Sequence, residues 1–383
     1  MLIATGKISL SIIILGFLFG VCSNQPASPN KKDSLENVLD SLVPSILLEK
    51  NVPGVSIAVL KGGEIIFTKG YGKADIQKNK AVNTNTLFNI GSISKSLTAF
   101  AIVALSEEGI IHLDSPVVKY IRRWKLPANK FDPRKVTIRK VLSHTAGLSV
   151  RGYNGQYLPG EKLPTIEESL AGYKGSDGKL EIISEPGTQF SYSSGGYTLL
   201  QLLIEEMTGN SFSIYMEQTL FEPLNMDQTG YALKEATATP YKGGGEPWPQ
   251  YQFIEQGSGG IYTTANDLAK FVAAYAIQNK GKDIVKPESI AMILQPAPGT
   301  NGNYGLGCKI FPVSEKTKLI THDGANEGWR AMYMLQPDTG NGIVIMTNSD
   351  EGGKIGAPII CKVFSMIGVD MAPLCENGVP KQR

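Results

Sequence analysis

The strongest structural signal in the chain is GSISKSLTAFAIVALSEEG, residues 91–109. Between Leu97 and Leu105 the only polar side chain is that of Thr98. A helix that is apolar around its whole circumference is normally buried in the middle of a domain, and Gly109 is a natural stop. This segment therefore predicts a buried central helix over 92–108 that begins at Ser92.

Ser92 and Lys95 lie in the first turn of this helix, three residues apart and therefore on one face. The positive end of the helix favours negative charge that develops on a serine oxygen. Burial lowers the pKa of a lysine, and a neutral lysine can take the serine proton. Two other Ser-x-x-Lys sequences start at residues 28 and 176, so the apolar helix that follows singles out Ser92. The alternative is a serine cap beside a surface lysine.

Outward from this helix, the hydrophobic pattern predicts strands towards both ends of the chain. Strand-like runs cover 54–60 and 64–72, with a hairpin loop at 61–63, and later 303–311, 317–322, 328–335 and 342–347. Helical patterns cover 34–50, 196–208, 264–279 and 354–367. This order predicts an α+β fold, in which an antiparallel sheet is built from both termini and flanked by helices. The α/β part would comprise about 34–115 and 255–370, with a helical insertion over about 116–254.

Composition and motifs exclude several classes of protein. The 383 residues carry a formal net charge of +2 without a long run of lysine or arginine, so nucleic acid is not an expected partner. The three histidines are scattered, no H-E-x-x-H sequence occurs, and the cysteine spacing matches no zinc pattern. We therefore expect neither a metal nor a cofactor. Cys308, Cys361 and Cys375 allow one disulfide with one free thiol, or three buried thiols.

The first 22 residues predict an export signal. Lys7 precedes an apolar run from Ile8 to Val21, which is too short for a comfortable membrane span. Cys22 follows directly, which favours a lipoprotein signal and membrane attachment through a lipid on Cys22. The alternatives are cleavage after Ser23 and an ordinary membrane anchor.

The rest of the chain divides into three parts by composition. Residues 23–33 are polar with two prolines and predict a flexible tether, residues 34–370 form the expected catalytic domain, and 371–383 a C-terminal tail. The expected location is outside the cytoplasm, as a periplasmic protein, a membrane-anchored lipoprotein or a secreted protein.

Two tripeptides add further candidate site residues. YSS at 192–194 lies between a Pro-Gly turn and a predicted helix, where Tyr192 could exchange a proton with a leaving group if a cation lowered its pKa. HDG at 322–324 ends a strand-like run. Gly324 would let backbone and substrate approach closely, and His322 could meet a substrate carboxylate or a proton relay. The alternatives are a tyrosine packed at a helix–loop junction and an incidental histidine in a loop.

Taken in order, the three elements resemble one family. Ser-x-x-Lys, then Tyr-x-Ser or Tyr-x-Asn, then His-x-Gly or Lys-Thr-Gly near the C-terminus resemble the class C β-lactamase, D-Ala-D-Ala carboxypeptidase and esterase superfamily. Further phrases are similar to it: LFNIGSISKSLTA (87–99), VLSHTAGL (141–148), EPGTQFSYSSGGYTLL (185–200) and GSGGIYTTANDLAKF (257–271). The resemblance spans about residues 36–367 and implies a β-lactamase/transpeptidase-like fold.

The resemblance also implies roles for individual residues. Ser92 would be acylated, Lys95 would act as its base, and Tyr192 would carry a proton to the leaving group. The backbone N–H groups of Ser92 and Ala325 would form an oxyanion hole. The implied substrate-binding positions are Ser194, His322, Gly324 and Ala325.

Two departures from the family pattern bear on the substrate. Ser194 stands where asparagine is commonest, and His322 replaces the lysine of efficient β-lactamases, so strong β-lactamase activity is not expected. The expected protein is a serine hydrolase of amides or esters, with a D-amino-acid peptidase or carboxypeptidase favoured and an esterase next. Its substrate would be a small molecule or peptide, for example one derived from the cell wall. The alternatives are a weak β-lactamase and a non-catalytic penicillin-binding sensor.

Overall fold

A seven-stranded antiparallel sheet is the main element of the computed structural model, which describes residues 34–153, 157–173, 177–277, 284–314, 317–371 and 375. The strands are β1 (Gly54–Lys61), β2 (Glu64–Asp75), β3 (Lys80–Ala81), β4 (Phe88–Asn89), β5 (Tyr262–Thr263), β6 (Lys309–Pro312), β7 (Lys318–Asn326), β8 (Trp329–Gln336) and β9 (Asn341–Thr347). The order in the sheet is β3-β2-β1-β9-β8-β7-β6, and β4 pairs with β5 separately.

The pairing of β1 with β9 joins the two ends of the domain. Val55 lies opposite Thr347 and Ile57 opposite Ile345 in an antiparallel register. The predicted α+β fold, with a sheet built from both termini, is therefore confirmed. Because β9 is buried at all seven positions, its nearly continuous apolar sequence reflects cover on both faces of the sheet.

Helices cover both faces of this sheet. They are α1 (Leu35–Lys50), α2 (Ser94–Glu107), α3 (Ile138–Leu142), α4 (Ile166–Leu170), α5 (Ser194–Thr208), α6 (Phe212–Met216), α7 (Gln256–Gly259), α8 (Ala265–Ala273), α9 (Pro287–Ile293) and α10 (Gly356–Ile367). α1 and α10 pack with Ile57 and Ile345 in one core cluster, whereas α2 and α8 pack with Leu60 and Met346 in the other. The apolar sequence of α2 thus places it in the centre of the larger core.

Three predicted elements differ in their bounds. The helix predicted over 264–279 ends at Ala273, because the following turn tightens to i→i−3 hydrogen bonds and the N–H of Ile277 bonds to the carbonyl of Pro337. The strand predicted over 303–311 begins only at residue 309, since Gly307 has a φ of +79°. β7 continues to residue 326 instead of ending at 322, which puts the HDG tripeptide inside a strand.

Of the three cysteines in the described residues, two are paired and one is free. Cys361 and Cys375 form a disulfide and Cys308 is a buried free thiol, so one of the two arrangements allowed by the sequence is present. The predicted export signal, Cys22 and the tether lie outside the described residues, as does almost all of the predicted C-terminal tail. In the part of the chain that is described, no helix is long and apolar enough to span a membrane.

Candidate active site

Ser92 lies on a single 3₁₀ turn, Gly91–Ile93, immediately before α2 begins at Ser94. Between residues 91 and 105 every residue is buried except Ser92, which keeps partial exposure. Gly91 has a φ of +48° and its N–H donates to Asn89 Oδ1 at 2.9 Å. The turn therefore holds one hydroxyl at the surface of an otherwise enclosed segment.

Lys95 is fully buried and its amine faces the Ser92 hydroxyl. The Nζ atom lies 3.1 Å from Ser92 Oγ and donates to the carbonyl oxygen of Ser258 at 2.7 Å. Burial lowers the pKa of Lys95 to about 7, while the negative charge of Asp323 opposes the shift. A substantial fraction of the amine is thus neutral near pH 7 and able to accept the serine proton.

Tyr192 completes a cluster with the same two residues. The Lys95 Nζ lies 5.0 Å from the centre of the Tyr192 ring, and the Tyr192 hydroxyl shares a hydrogen bond with Ser92. Burial raises the pKa of Tyr192 although that hydrogen bond lowers it. The sequence predicts proton exchange by Tyr192 on condition that a cation lowers this pKa. Here the pKa is raised, which keeps the phenol protonated as a donor.

The His144 ring packs against the Tyr192 ring. The two rings lie 4.3 Å apart between centroids, and His144 Nδ1 accepts the backbone N–H of Ser193 at 3.1 Å. Burial lowers the pKa of His144, and the charge of Lys95 adds to the effect. The neutral ring therefore fixes the loop that carries Tyr192.

Gly324 allows β7 to approach the Ser92 turn. A Cβ at position 324 would lie 1.9 Å from the carbonyl oxygen of Ile90 and 3.1 Å from the backbone nitrogen of Ser92. A Cβ on Gly91 would lie 2.6 Å from the backbone nitrogen of Ala325. The two glycines thus bring together the backbone nitrogens that the family resemblance implies as oxyanion donors.

His322 does not occupy the position expected of a residue that meets a substrate carboxylate. It is 1% exposed, with Nε2 3.1 Å from the Tyr304 hydroxyl and Nδ1 2.7 Å from the Asp323 carbonyl oxygen. Burial lowers the pKa of His322, so the ring is neutral at pH 7. The ring is enclosed, uncharged and already hydrogen-bonded, which does not favour a direct contact with a substrate carboxylate. A part in a proton relay, the other role expected of His322, stays a prediction.

A cleft of about 380 Å³ opens from Ser92. Ser194 lies on its wall, where its hydroxyl donates to the Arg151 carbonyl oxygen at 2.8 Å. The other wall residues are Arg151, Gly152, Tyr153, Phe253, Glu255, Ser258, Gly259, Ala325, Asn326, Glu327, Arg330 and Asp350. Ser92, Ser194 and Ala325 are thus brought to one cavity.

Sequence reasoning missed several of these residues. Asn326 Nδ2 donates to Asn89 Oδ1 at 2.7 Å and to the Gly259 carbonyl oxygen at 3.0 Å, which ties β7 to the nucleophile turn and to α7. Glu255 lines the cleft. The phrase GSGGIYTTANDLAKF begins two residues after Glu255, and Asn326 directly follows Ala325, but neither residue was singled out. Within the described residues, no cluster of three or more His, Cys, Asp and Glu could hold a metal ion.

Replacing Tyr192 by phenylalanine tests its part in proton transfer. Because the ring contacts are kept and only the hydroxyl is lost, we expect kcat to fall by about 10²- to 10⁴-fold, the usual contribution of a general acid–base group. The measurement is steady-state turnover of an activated ester and of an amide. An unchanged rate on both substrates would remove Tyr192 from the mechanism.

The antiparallel sheet, the buried helix that follows the nucleophile turn and the Ser-x-x-Lys site define a protein of the serine β-lactamase and penicillin-binding protein class. The family model Beta-lactamase matches residues 36–358. The chain belongs to this family, and its superfamily is of the serine hydrolase type.

Two bacterial proteins are similar to this chain over more than four fifths of its length. "Penicillin-binding protein 4*" of Bacillus subtilis (strain 168) is 26% identical over 356 residues, covering 84% of this chain and 73% of that protein. "Protein flp" of Staphylococcus aureus (strain NCTC 8325 / PS 47) is 25% identical over 328 residues and 81% of this chain. The chain spans only 62% of the length of that protein.

Solved structures show the same architecture. The octameric penicillin-binding protein homologue from Pyrococcus abyssi superposes with a TM-score of 0.73 at 28% identity, covering 88% of this chain and 79% of that one. The penicillin-binding protein from Bacillus halodurans gives a TM-score of 0.68 at 22% identity, covering 85% and 99%. The β-lactamase/transpeptidase-like fold expected from the sequence is therefore confirmed.

Proposed function

We propose that this protein is a serine hydrolase that cleaves an amide or ester bond through an acyl-enzyme on Ser92. The observation that carries the proposal is the buried Lys95 amine, 3.1 Å from a partly exposed serine hydroxyl and with a pKa lowered to about 7. A base and a nucleophile in hydrogen-bond contact are the arrangement that activates a serine.

Acylation begins when neutral Lys95 takes the proton of the Ser92 hydroxyl. The Ser92 oxygen then forms a bond to the substrate carbonyl carbon, and the carbonyl oxygen becomes an oxyanion that faces the N–H groups of Ser92 and Ala325. When the tetrahedral intermediate collapses, the bond to the leaving group breaks. The leaving group takes the proton of the Tyr192 hydroxyl, and protonated Lys95 restores that proton.

Deacylation repeats these steps with water as the nucleophile. The Tyr192–Lys95 pair accepts a proton from water as the water oxygen attacks the acyl carbon. The bond to Ser92 Oγ breaks, and the proton returns to that oxygen. The carboxylic acid product is then released, and Lys95 and Tyr192 are back in their starting protonation states.

For the substrate, we propose a small molecule or peptide with D-amino acids, for example one derived from the cell wall, with an ester as the second choice. The similarity to proteins named penicillin-binding proteins supports this class. We propose a site of action outside the cytoplasm, with attachment through a lipid on Cys22, because the first 22 residues have the pattern of an export signal.

Intact-protein mass spectrometry after incubation with an activated fluorophosphonate, and separately with a fluorescent penicillin, tests the acyl-serine chemistry. We expect one adduct per chain that is lost in Ser92→Ala and kept in the matched control Ser106→Ala, at the opposite end of α2. A penicillin adduct would favour the peptidase over the esterase. A folded protein without any adduct would instead favour the non-catalytic sensor.

A further inference from the structure

Glu255 is a buried acidic residue on the wall of the Ser92 cleft. It directly precedes α7 and lies three residues before Ser258, whose carbonyl oxygen binds Lys95. The residue is only 4% exposed. The short turn from residue 255 to 258 therefore fixes the position of Glu255 relative to Lys95, and Lys95 contacts Ser92.

One oxygen of this carboxyl group has a partner and the other does not. Glu255 Oε1 accepts the hydroxyl of Ser169 at 2.5 Å, whereas Oε2 is buried without a hydrogen-bond partner among the described residues. Burial raises the pKa of the Glu255 carboxyl, and the Ser169 hydrogen bond opposes the shift. A buried carboxyl oxygen without a partner is unfavourable unless the group takes a proton or a cation or donor approaches it.

The charge balance of the cleft also favours a cation. Glu327 contributes a second buried oxygen, Oε2, that lacks a hydrogen-bond partner among the described residues. The cleft wall carries five charged residues, all within the described part of the chain: Arg151, Glu255, Glu327, Arg330 and Asp350. Among these five, one ion pair is present, between Arg330 and Asp350 at 3.2 Å. Two carboxyl groups thus face one guanidinium, that of Arg151, for which the described residues provide no ion-pair partner.

Geometry indicates which part of a substrate would meet Glu255. Glu255 lines the same cleft as Ser92 and Ala325, the two predicted oxyanion donors. A substrate whose carbonyl oxygen meets these two N–H groups therefore has its carbonyl group at the cleft, and we assign the cleft to the acyl part. A primary ammonium group on that part has the charge and the N–H donors that Glu255 Oε2 lacks.

We propose that Glu255 forms a subsite for the protonated amine of the acyl part of the substrate. The substrates would then be amides or esters of amino acids, or of peptides with a free amino terminus, cleaved with aminopeptidase-like selectivity. This inference rests on the proposed function and deepens it: it replaces recognition of a substrate carboxylate by His322 with recognition of an amine by Glu255.

The test compares D-alanine p-nitroanilide with its N-acetyl derivative, which lacks the ammonium group. We expect the wild type to prefer the free amine by at least about 10-fold in kcat/KM, since a charge-assisted hydrogen bond in a buried site is lost on acetylation. Glu255→Gln keeps the shape of the side chain and an acceptor for Ser169. It should lower kcat/KM for the free amine by about 10- to 100-fold and leave the N-acetyl substrate within about twofold.

Glu327→Gln is the matched control, because it removes the same charge from the same cleft. It should change the preference for the amine less than Glu255→Gln does. Equal loss on both substrates in Glu255→Gln would indicate a structural role and overturn the subsite, as would equal effects of the two variants. So would a wild type without preference for the amine, including one that cleaves neither anilide. Fluorophosphonate labelling of Ser92 is read in parallel, so that failure of the acyl-serine chemistry itself is distinguished from failure of the amine subsite.

Discussion

Replacing Lys95 by methionine is expected to slow acylation of Ser92 by about 10³-fold, within the usual range for removal of a general base. Methionine keeps an unbranched apolar side chain in the buried site but has no amine to take the serine proton. Ser92 also shares a hydrogen bond with the Tyr192 hydroxyl, whose pKa is raised by burial, so the phenol stays protonated and does not replace the lost base. The measurement is the rate of fluorophosphonate labelling, with kcat/KM on an activated ester.

The pH profile identifies Lys95 as the responsible group. Because only the neutral amine is a base, wild-type kcat/KM should fall about tenfold per pH unit below the Lys95 pKa of about 7. Burial lowers the pKa values of His144 and His322 below their ordinary value, so these rings titrate in a more acidic range. Lys95→Arg, which stays charged at all working pH values, should be as slow as Lys95→Met. Either variant retaining a wild-type rate would refute the base assignment.

The same lowered pKa supplies a folding control. Between the folded pKa of about 7 and the ordinary value of 10.5, the unfolded chain holds a proton on Lys95 that the folded chain lacks. The contribution of Lys95 to the free energy of unfolding therefore rises with pH across this window and is constant below it. Lys95→Met lacks this contribution. Urea unfolding of both proteins at several pH values in this window should show the wild type gaining stability relative to a folded variant.

Much of the fold could be predicted from the sequence because its apolar segments have distinct hydrophobic patterns. The all-round apolar residues 97–105 predicted the buried helix, and the continuous apolar run of β9 predicted a strand covered on both faces. The bounds failed where tertiary hydrogen bonds decided them. Residues 303–308 alternate like a strand, but the N–H of Leu306 donates to the Ile293 carbonyl oxygen of α9 at 3.0 Å instead of to a strand.

Residues of the site that are close in sequence could be proposed from their spacing, whereas the roles of Tyr192 and Ala325 were proposed from the family resemblance. Ser92 and Lys95 share a helical turn, so their spacing and the helix that follows were sufficient to propose the pair. Glu255 was missed because an isolated glutamate carries no signal until the fold places it beside Ser169 and in the cleft of Ser92. His322 was assigned a substrate contact because the pattern could not show that Tyr304 encloses it.

Gly324→Ala is expected to lower kcat/KM by about 10²- to 10³-fold through displacement of the nucleophile turn. The added Cβ would lie 1.9 Å from the Ile90 carbonyl oxygen and 2.8 Å from its carbon. These are backbone atoms, so either β7 or the segment before Ser92 must move by about 1 Å, a displacement that can cost 10²-fold in rate. The movement also separates Ser92 and Ala325 as oxyanion donors, and loss of one such donor typically costs about 10²- to 10³-fold.

Gly353→Ala is the control for this substitution, because a Cβ at position 353 meets no described atom within 4 Å. We expect wild-type kcat/KM for Gly353→Ala and a lower melting temperature for Gly324→Ala, since overpacking a tight contact costs about 1–3 kcal/mol. Activity is therefore measured at a temperature where circular dichroism shows both variants folded. If folded Gly324→Ala kept activity within twofold of the wild type, the close approach of β7 to the Ser92 turn would not be what aligns the site. The oxyanion donors would then have to be sought elsewhere than at Ser92 and Ala325.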